Sequence, residues 1–134
     1  MEKTNDMKKV LLCAVATAVL LFGIYMILPG FTKITSAYIS EFSLSDDGSE
    51  ITINVSVGSS VGFVRKVAVH QQEGGKLYLD CYSAFGGLNG SIGAKSTYTV
   101  KLDEDTEIIA LFRNDNCYEE VLRKSADGSW ERVS

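Results

Sequence analysis

The amino-acid sequence predicts an all-β domain, an antiparallel sandwich of about eight short strands, which follows one N-terminal transmembrane helix. Three observations support this prediction. A continuous apolar run covers residues 10–28, apolar and polar residues alternate in several later segments, and turns rich in glycine and aspartate separate those segments. Alternation with a period of two is typical of strands that have one face in a core and the other in water.

The apolar run, VLLCAVATAVLLFGIYMIL, has the length of a membrane span. As a helix it would be about 28 Å long, close to the roughly 30 Å hydrocarbon core of a bilayer. Pro29 and Gly30 favour the end of that helix, because proline cannot donate the next backbone hydrogen bond. We therefore expect the chain to be attached to the cell membrane through residues 10–28.

The distribution of lysines predicts the orientation of this helix. Lys3, Lys8 and Lys9 precede the apolar run and only Lys33 follows it closely, which favours a cytoplasmic N-terminus. The alternative is a cleaved signal peptide and a secreted domain, although the run is longer than a typical signal core. The expected divisions are a cytoplasmic tail (1–9), a transmembrane helix (10–28), a tether (29–36) and an extracytoplasmic β domain (37–134).

The charge of the chain limits its partners. The formal net charge is −4 at pH 7, and three of the cations lie before the span, so the β domain is acidic. An acidic domain is a poor match for a phosphate backbone, and we expect no nucleic-acid partner. No cofactor is expected either.

The strands are predicted from the alternation and the turns. Ile51, Ile53, Val55 and Val57 alternate with polar residues, and residues 45–49 form the turn before them. Residues 108–112 are apolar at every position, which predicts a central strand covered on both faces. The predicted strands are 42–44, 51–57, 63–72, 77–82, 97–102, 108–112, 117–124 and 129–133.

Two resemblances accompany this pattern. The stretch from Tyr98 to Ile108 resembles a corner of immunoglobulin-like and fibronectin type III domains, which implies a sandwich of that architecture. Residues 45–49 (SDDGS) and 82–95 (YSAFGGLNGSIGAK) resemble an uncharacterised family of small membrane-anchored surface proteins of Gram-positive bacteria. The second resemblance implies a bacterial surface location and no particular activity.

The residues that could carry catalysis do not form a recognisable pattern. His70 is the only histidine, and its sequence neighbours favour an ordinary surface residue over a catalytic one. We therefore expect no enzyme activity. Calcium binding is a further hypothesis. If strands alternate in direction, turns 45–49, 73–75 and 103–106 share one end, where carboxylate oxygens could bind the ion. The candidate calcium ligands are Asp46, Asp47, Asp103 and Asp105. The alternative is that these turns are solvated and bind no ion.

Cys81 and Cys117 form a possible disulfide, because the predicted location outside the cell permits one. An unstrained bridge would stabilise the domain by about 4 kcal/mol on loop entropy. Cys81 is also in phase with Leu77 and Leu79, so it could instead be a free thiol in the core.

The longest connection, residues 83–95, is the predicted binding site. It mixes glycines with apolar side chains, and its candidate residues are Phe85, Gly86, Gly87, Leu88, Asn89 and Ile92. Either the apolar side chains fold back and close the end of the core, or they form an exposed patch that meets a partner. Because successive strands are expected to alternate in direction, this loop should lie at the end of the domain where the tether enters.

The sequence therefore predicts a membrane-anchored extracytoplasmic module that binds an unknown protein or envelope ligand. An accessory subunit of a membrane complex is the alternative, and an envelope hydrolase is a distant third possibility.

Overall fold

The computed structural model of the chain describes residues 2–58, 62–87, 89–115 and 117–133. It contains one long helix, α1, a short 3-10 helix and eight strands. These elements are α1 Glu2–Ile27, the 3-10 helix Leu28–Phe31, β1 Ala37–Leu44, β2 Glu50–Val57, β3 Val64–Glu73, β4 Lys76–Ser83, β5 Thr97–Lys101, β6 Ile108–Asn114, β7 Cys117–Lys124 and β8 Trp130–Arg132.

Helix α1 is long and apolar enough to cross a membrane. It begins at Glu2, so residues 2–9, expected as a tail, continue the helix beyond the apolar run. No glycine or proline interrupts this segment, and Glu2 lies in the first turn, where a negative charge is favourable. The helix changes to 3-10 geometry at Leu28, next to Pro29.

The strands form two sheets, with the orders β1-β2-β5 and β3-β4-β6-β7-β8. The predicted sandwich of about eight, mostly antiparallel strands is thus present, but its larger sheet is mixed, because β4 and β6 pair in parallel. Strand β5 joins the other sheet, so β4 and β6, which run in the same direction, become neighbours. In an immunoglobulin domain the third and sixth strands are adjacent, whereas β4 here separates β3 from β6, and the immunoglobulin-like resemblance is not confirmed.

The core lies between the two sheets. The alternating residues Ile51 and Ile53 of β2 are fully buried, and Leu79 of β4 and Leu111 of β6 are buried in the facing sheet. Strand β6 is central, as predicted, with β4 on one side and β7 on the other.

Two arginines of the five-stranded sheet connect it to the three-stranded sheet. Arg113 of β6 donates to the carbonyl oxygen of Ala37 at 2.7 Å, and Arg132 of β8 donates to that of Ile39 at 2.6 Å. Both acceptors belong to β1, so the five-stranded sheet holds the three-stranded sheet through charge-assisted hydrogen bonds.

The connections gather at two opposite ends of the sandwich. At the acidic end, Leu102 N–H donates to the Ser49 carbonyl and Glu107 N–H to the Gly75 carbonyl, so turns 45–49, 73–75 and 103–106 are adjacent, as predicted. At the helix end, α1 and the 3-10 helix meet the loop 83–95, whose Ala84 N–H donates to the Phe63 carbonyl.

Candidate functional site

The loop 83–95 folds onto the end of α1. The Gly86 N–H donates to the carbonyl oxygen of Met26 at 2.7 Å. The ring of Phe85 meets that of Phe31 edge to face at 6.2 Å, and the guanidinium of Arg65 lies over the Phe85 ring at 4.4 Å. Phe85 and Gly86 of the predicted site therefore connect the helix to the β domain, and we call this contact the brace.

Two glycines permit this close approach. A Cβ atom added to Gly30 would overlap the ring of Phe85, and one added to Gly87 would overlap the ring of Tyr25. Gly87 also has φ +79°, a conformation that other residues adopt only with strain. Arg65 adds a hydrogen bond to the Gly30 carbonyl oxygen.

The remaining residues of the predicted loop site have different environments. Asn89, with φ 58°, accepts a hydrogen bond from the Gly62 N–H at 2.9 Å. Ile92 pairs with Phe85 through two backbone hydrogen bonds, but its side chain is 55% exposed. Leu88 lies outside the described residues. Phe85 therefore packs against the 3-10 helix and Arg65, whereas Ile92 is exposed. The use of this loop as a binding site stays a prediction.

The segment expected as a tether is not an extended linker. Ile34 N–H donates to the Cys81 carbonyl at 2.7 Å, and Ser83 N–H donates to the Thr32 carbonyl at 3.1 Å. Strand β6 pairs with β4 only as far as Leu79, so the backbone groups of β4 beyond that residue are open to residues 32–34. This pairing places Lys33 on the outer face of the five-stranded sheet, next to β4.

A second site, which the sequence did not reveal, surrounds Asp80 on that outer face. The Asp80 carboxylate is buried, and three donors from three segments approach it. Tyr118 OH lies at 2.7 Å, His70 Nδ1 at 3.2 Å and Lys33 Nζ at 3.2 Å. A buried carboxylate is tolerated only when such partners replace water.

Three aromatic rings pack against Tyr118, which donates to this carboxylate. Tyr118 contacts His70 at 5.5 Å, Tyr78 at 5.1 Å and Phe112 at 5.8 Å between ring centroids. Burial and the hydrogen bond to Asp80 raise the pKa of Tyr118 well above its usual range, so its phenol remains a proton donor. Above the rings lies a shallow cleft of about 440 Å³, lined by His70, Gln71, Glu73, Tyr78 and Tyr118.

A β-bulge brings His70, which was expected to be an ordinary surface residue, to this site. The 73–75 turn pairs Glu73 with Lys76 and Gln71 with Tyr78, so a regular hairpin would place His70 opposite Leu79. Opposed residues share a face, and Leu79 faces the core. The register shifts between Val69 and Gln71, and the extra residue, His70, turns to the outer face beside Asp80.

The acidic turns do not bring the predicted calcium ligands together. Asp47 Oδ1 accepts hydrogen bonds from the Ser45 and Ser49 side chains and from the Ser49 N–H, so it stabilises its own turn. These bonds, with that from the Ser49 side chain as the largest contribution, lower the pKa of Asp47 to about 2. Within the described ranges, no group of three or more His, Cys, Asp or Glu side chains could hold a metal ion, and Asp46, Asp103 and Asp105 belong to none.

The possible disulfide is not formed. Cys81 is a buried free thiol in β4 and Cys117 is an exposed free thiol at the start of β7. Strand β6 lies between β4 and β7, and two strand spacings amount to about 9.6 Å. A disulfide requires Cα atoms within roughly 7 Å of one another. Burial also raises the pKa of Cys81 to about 12.

Comparison with known proteins gives no relative: no protein-family model matches the chain, and neither a curated protein nor a solved structure is significantly similar to it. The suspected relationship to Gram-positive surface proteins therefore stays a prediction.

Proposed function

We propose that the chain is a single-pass protein of the cell membrane whose extracytoplasmic β domain binds a saccharide of the cell envelope in the Asp80 cleft. One observation carries the proposal: a buried carboxylate holds Tyr118, His70 and Lys33 in place beneath an open cleft. Because these side chains are already held in place, a ligand that binds the cleft causes a smaller loss of side-chain entropy.

The chemistry of the cleft favours a neutral ligand rich in hydroxyl groups. Tyr78 and Tyr118 offer apolar ring surface next to a polar group, which suits the C–H faces of a sugar ring. Gln71, Glu73 and His70 supply an amide, a carboxylate and an imidazole to pair with hydroxyls. A few polar groups placed around apolar surface are typical of small-ligand sites.

The membrane location is supported by α1 and by the lysines before the apolar run. The proposed topology places the N-terminus in the cytoplasm and the β domain outside. Protease added to intact cells should remove the domain and leave the N-terminus protected. Protection of the domain would contradict this topology, and release of an intact domain without the helix would indicate cleavage of a signal peptide.

Binding is tested with the full chain in nanodiscs against soluble fragments of cell-wall saccharide, by calorimetry. Tyr78→Ala should weaken binding at least about tenfold, equivalent to about 1.4 kcal/mol, because it removes one wall of the cleft. Tyr38→Ala is the matched control, since Tyr38 is 46% exposed on β1 of the other sheet. Equal affinities of both variants and the wild type would contradict the assignment of the site.

An accessory subunit of a membrane complex is the second candidate. Helix α1 is apolar and has no buried residue among those described, so a partner helix could pack along it. Stable co-purification of a membrane complex in detergent, with no saccharide binding, would favour this candidate. Turnover of a saccharide that is lost in His70→Gln, with binding retained, would instead indicate a hydrolase.

A further inference from the structure

We infer that the helix end of the β domain lies within the interfacial layer of the membrane, with Phe31, Phe63 and Ile92 in contact with lipid. This inference rests on the proposed membrane anchor but is independent of saccharide binding. It assigns a lipid surface, rather than water or a protein, as the occupant of this face.

The depth of the brace is the first argument. The apolar run ends at Leu28, and the loop 83–95 contacts α1 at Tyr25 and Met26, inside that run. At 1.5 Å per residue, Met26 lies about 3 Å before the end of the run. A domain attached at this level cannot be separated from the bilayer by a layer of water.

Exposed apolar side chains at this end are the second argument. Phe31 is 68% exposed, Phe63 44% and Ile92 55%. Each is tied to the brace: Phe31 by the Phe85 ring, Phe63 by the hydrogen bond from Ala84, and Ile92 by its pairing with Phe85. Together with Tyr25 on α1, they form an apolar and aromatic surface at the depth where such residues favour the membrane interface.

The charge distribution is the third argument. Arg65 lies against the brace, Lys66 pairs with Tyr82 at the end of β4, and Lys95 N–H donates to the Val64 carbonyl, so all three cations lie at the helix end. The turns with Asp46, Asp47, Asp103, Glu104 and Asp105 are at the opposite end. The domain therefore turns its basic end, and not its acidic end, towards the membrane.

Tryptophan fluorescence in proteoliposomes tests the inference. The full chain with Trp130→Phe serves as background, and one tryptophan is introduced at a time. Ile92→Trp reports on the proposed lipid contact, and Phe63→Trp is a second reporter that conserves an aromatic ring. Val69→Trp is the matched control, because Val69 is 52% exposed on β3 and lies about 15 Å further from the membrane.

Val19→Trp, in the middle of α1, reports separately on the anchor. With lipids brominated near the headgroup, quenching at Ile92→Trp or Phe63→Trp should be several-fold stronger than at Val69→Trp. With lipids brominated deeper in the acyl chains, Val19→Trp should be quenched most. If Val19→Trp is quenched but Ile92→Trp and Phe63→Trp are quenched no more than Val69→Trp, the lipid contact is wrong and the membrane anchor stands. Unquenched Val19→Trp would overturn the membrane anchor and the lipid contact with it.

Discussion

The Gly86 N–H donates a 2.7 Å hydrogen bond to the carbonyl oxygen of Met26. Met26 is in the last turn of α1, where carbonyl groups have no partner within the helix. A loop of the β domain thus satisfies the end of the helix, and the same loop packs Phe85 against Gly30. We expect the helix and the domain to move as one unit.

The Gly30→Ala variant tests this coupling. The added methyl group would overlap the Phe85 ring, so the brace must shift, at a cost of about 1–3 kcal/mol. Hydrogen exchange at the Gly86 amide should become faster, and protease should cut the chain between α1 and β1 more readily. Gly23→Ala is the control, since a Cβ atom added to Gly23 would meet no other atom within 4 Å. Equal exchange rates in the two variants would show that the brace does not depend on Gly30.

The Asp80 cluster should contribute to the stability of the folded domain. Tyr118→Phe removes a hydrogen bond to a buried carboxylate and should lower the free energy of unfolding by about 1.5–3 kcal/mol. In an Asp80→Asn background the same change should cost clearly less, because the charged acceptor is gone. Urea denaturation of the four proteins gives this coupling energy.

Tyr98→Phe is the control for a phenol outside the cluster, because its hydroxyl donates to the exposed Lys95 carbonyl at 2.6 Å. Its cost should stay near or below about 1 kcal/mol. A Tyr118→Phe cost that is the same with Asp80 and with Asn at that position would contradict the proposed hydrogen-bond coupling.

The two SxDGS turns, 45–49 and 125–129, should make stability fall in acid. Hydrogen bonds from Ser49 lower the pKa of Asp47 to about 2, and those from Ser125 lower the pKa of Asp127 to about 2. Because both pKa values are below the ordinary 3.8, the stabilisation is present above that pH and is lost as the pH falls towards 2. Asp47→Asn or Asp127→Asn should flatten the decline of thermal stability between pH 4 and pH 2.

Asp46→Asn is the control for this acid dependence. It removes the same charge from a turn but leaves the hydrogen bonds from Ser45 and Ser49 to Asp47 in place. If Asp46→Asn flattens the profile as much as Asp47→Asn does, net charge rather than turn hydrogen bonding governs the acid response.

The cysteines should react at very different rates. In a Cys13→Ser background, maleimide should label the exposed Cys117 promptly in the folded protein. Cys81 should be labelled only after denaturation, because it is buried and its pKa is raised to about 12. Mass spectrometry identifies the labelled site. If Cys81 and Cys117 can be labelled only after reduction, the two form a disulfide.

Several features of the chain follow from local sequence properties. The continuous apolar run determines α1, since its length and hydrophobicity do not depend on distant contacts. The alternation around Ile51 and Ile53 determines which face of β2 is buried, because successive side chains of a strand point to opposite faces. The turns also determine strand direction, and strand direction alone assigns the loop 83–95 to the helix end.

The strand order and the site required the tertiary structure. The parallel pairing of β4 with β6 arises only because β5 joins the other sheet, which no local pattern in β5 encodes. The bulge at His70 reverses the direction of one side chain, and the pairing of residues 32–34 with β4 brings Lys33 to Asp80.

The sequence by itself thus determined the long apolar helix, the β class and the two ends of the domain, because each depends on composition, periodicity or short-range turn geometry. Only the tertiary structure decided that His70, Asp80, Lys33 and Tyr118 form one cluster, and that Gly86 hydrogen-bonds to Met26. Those contacts join residues far apart in the chain, so they depend on how the strands pack rather than on any single segment.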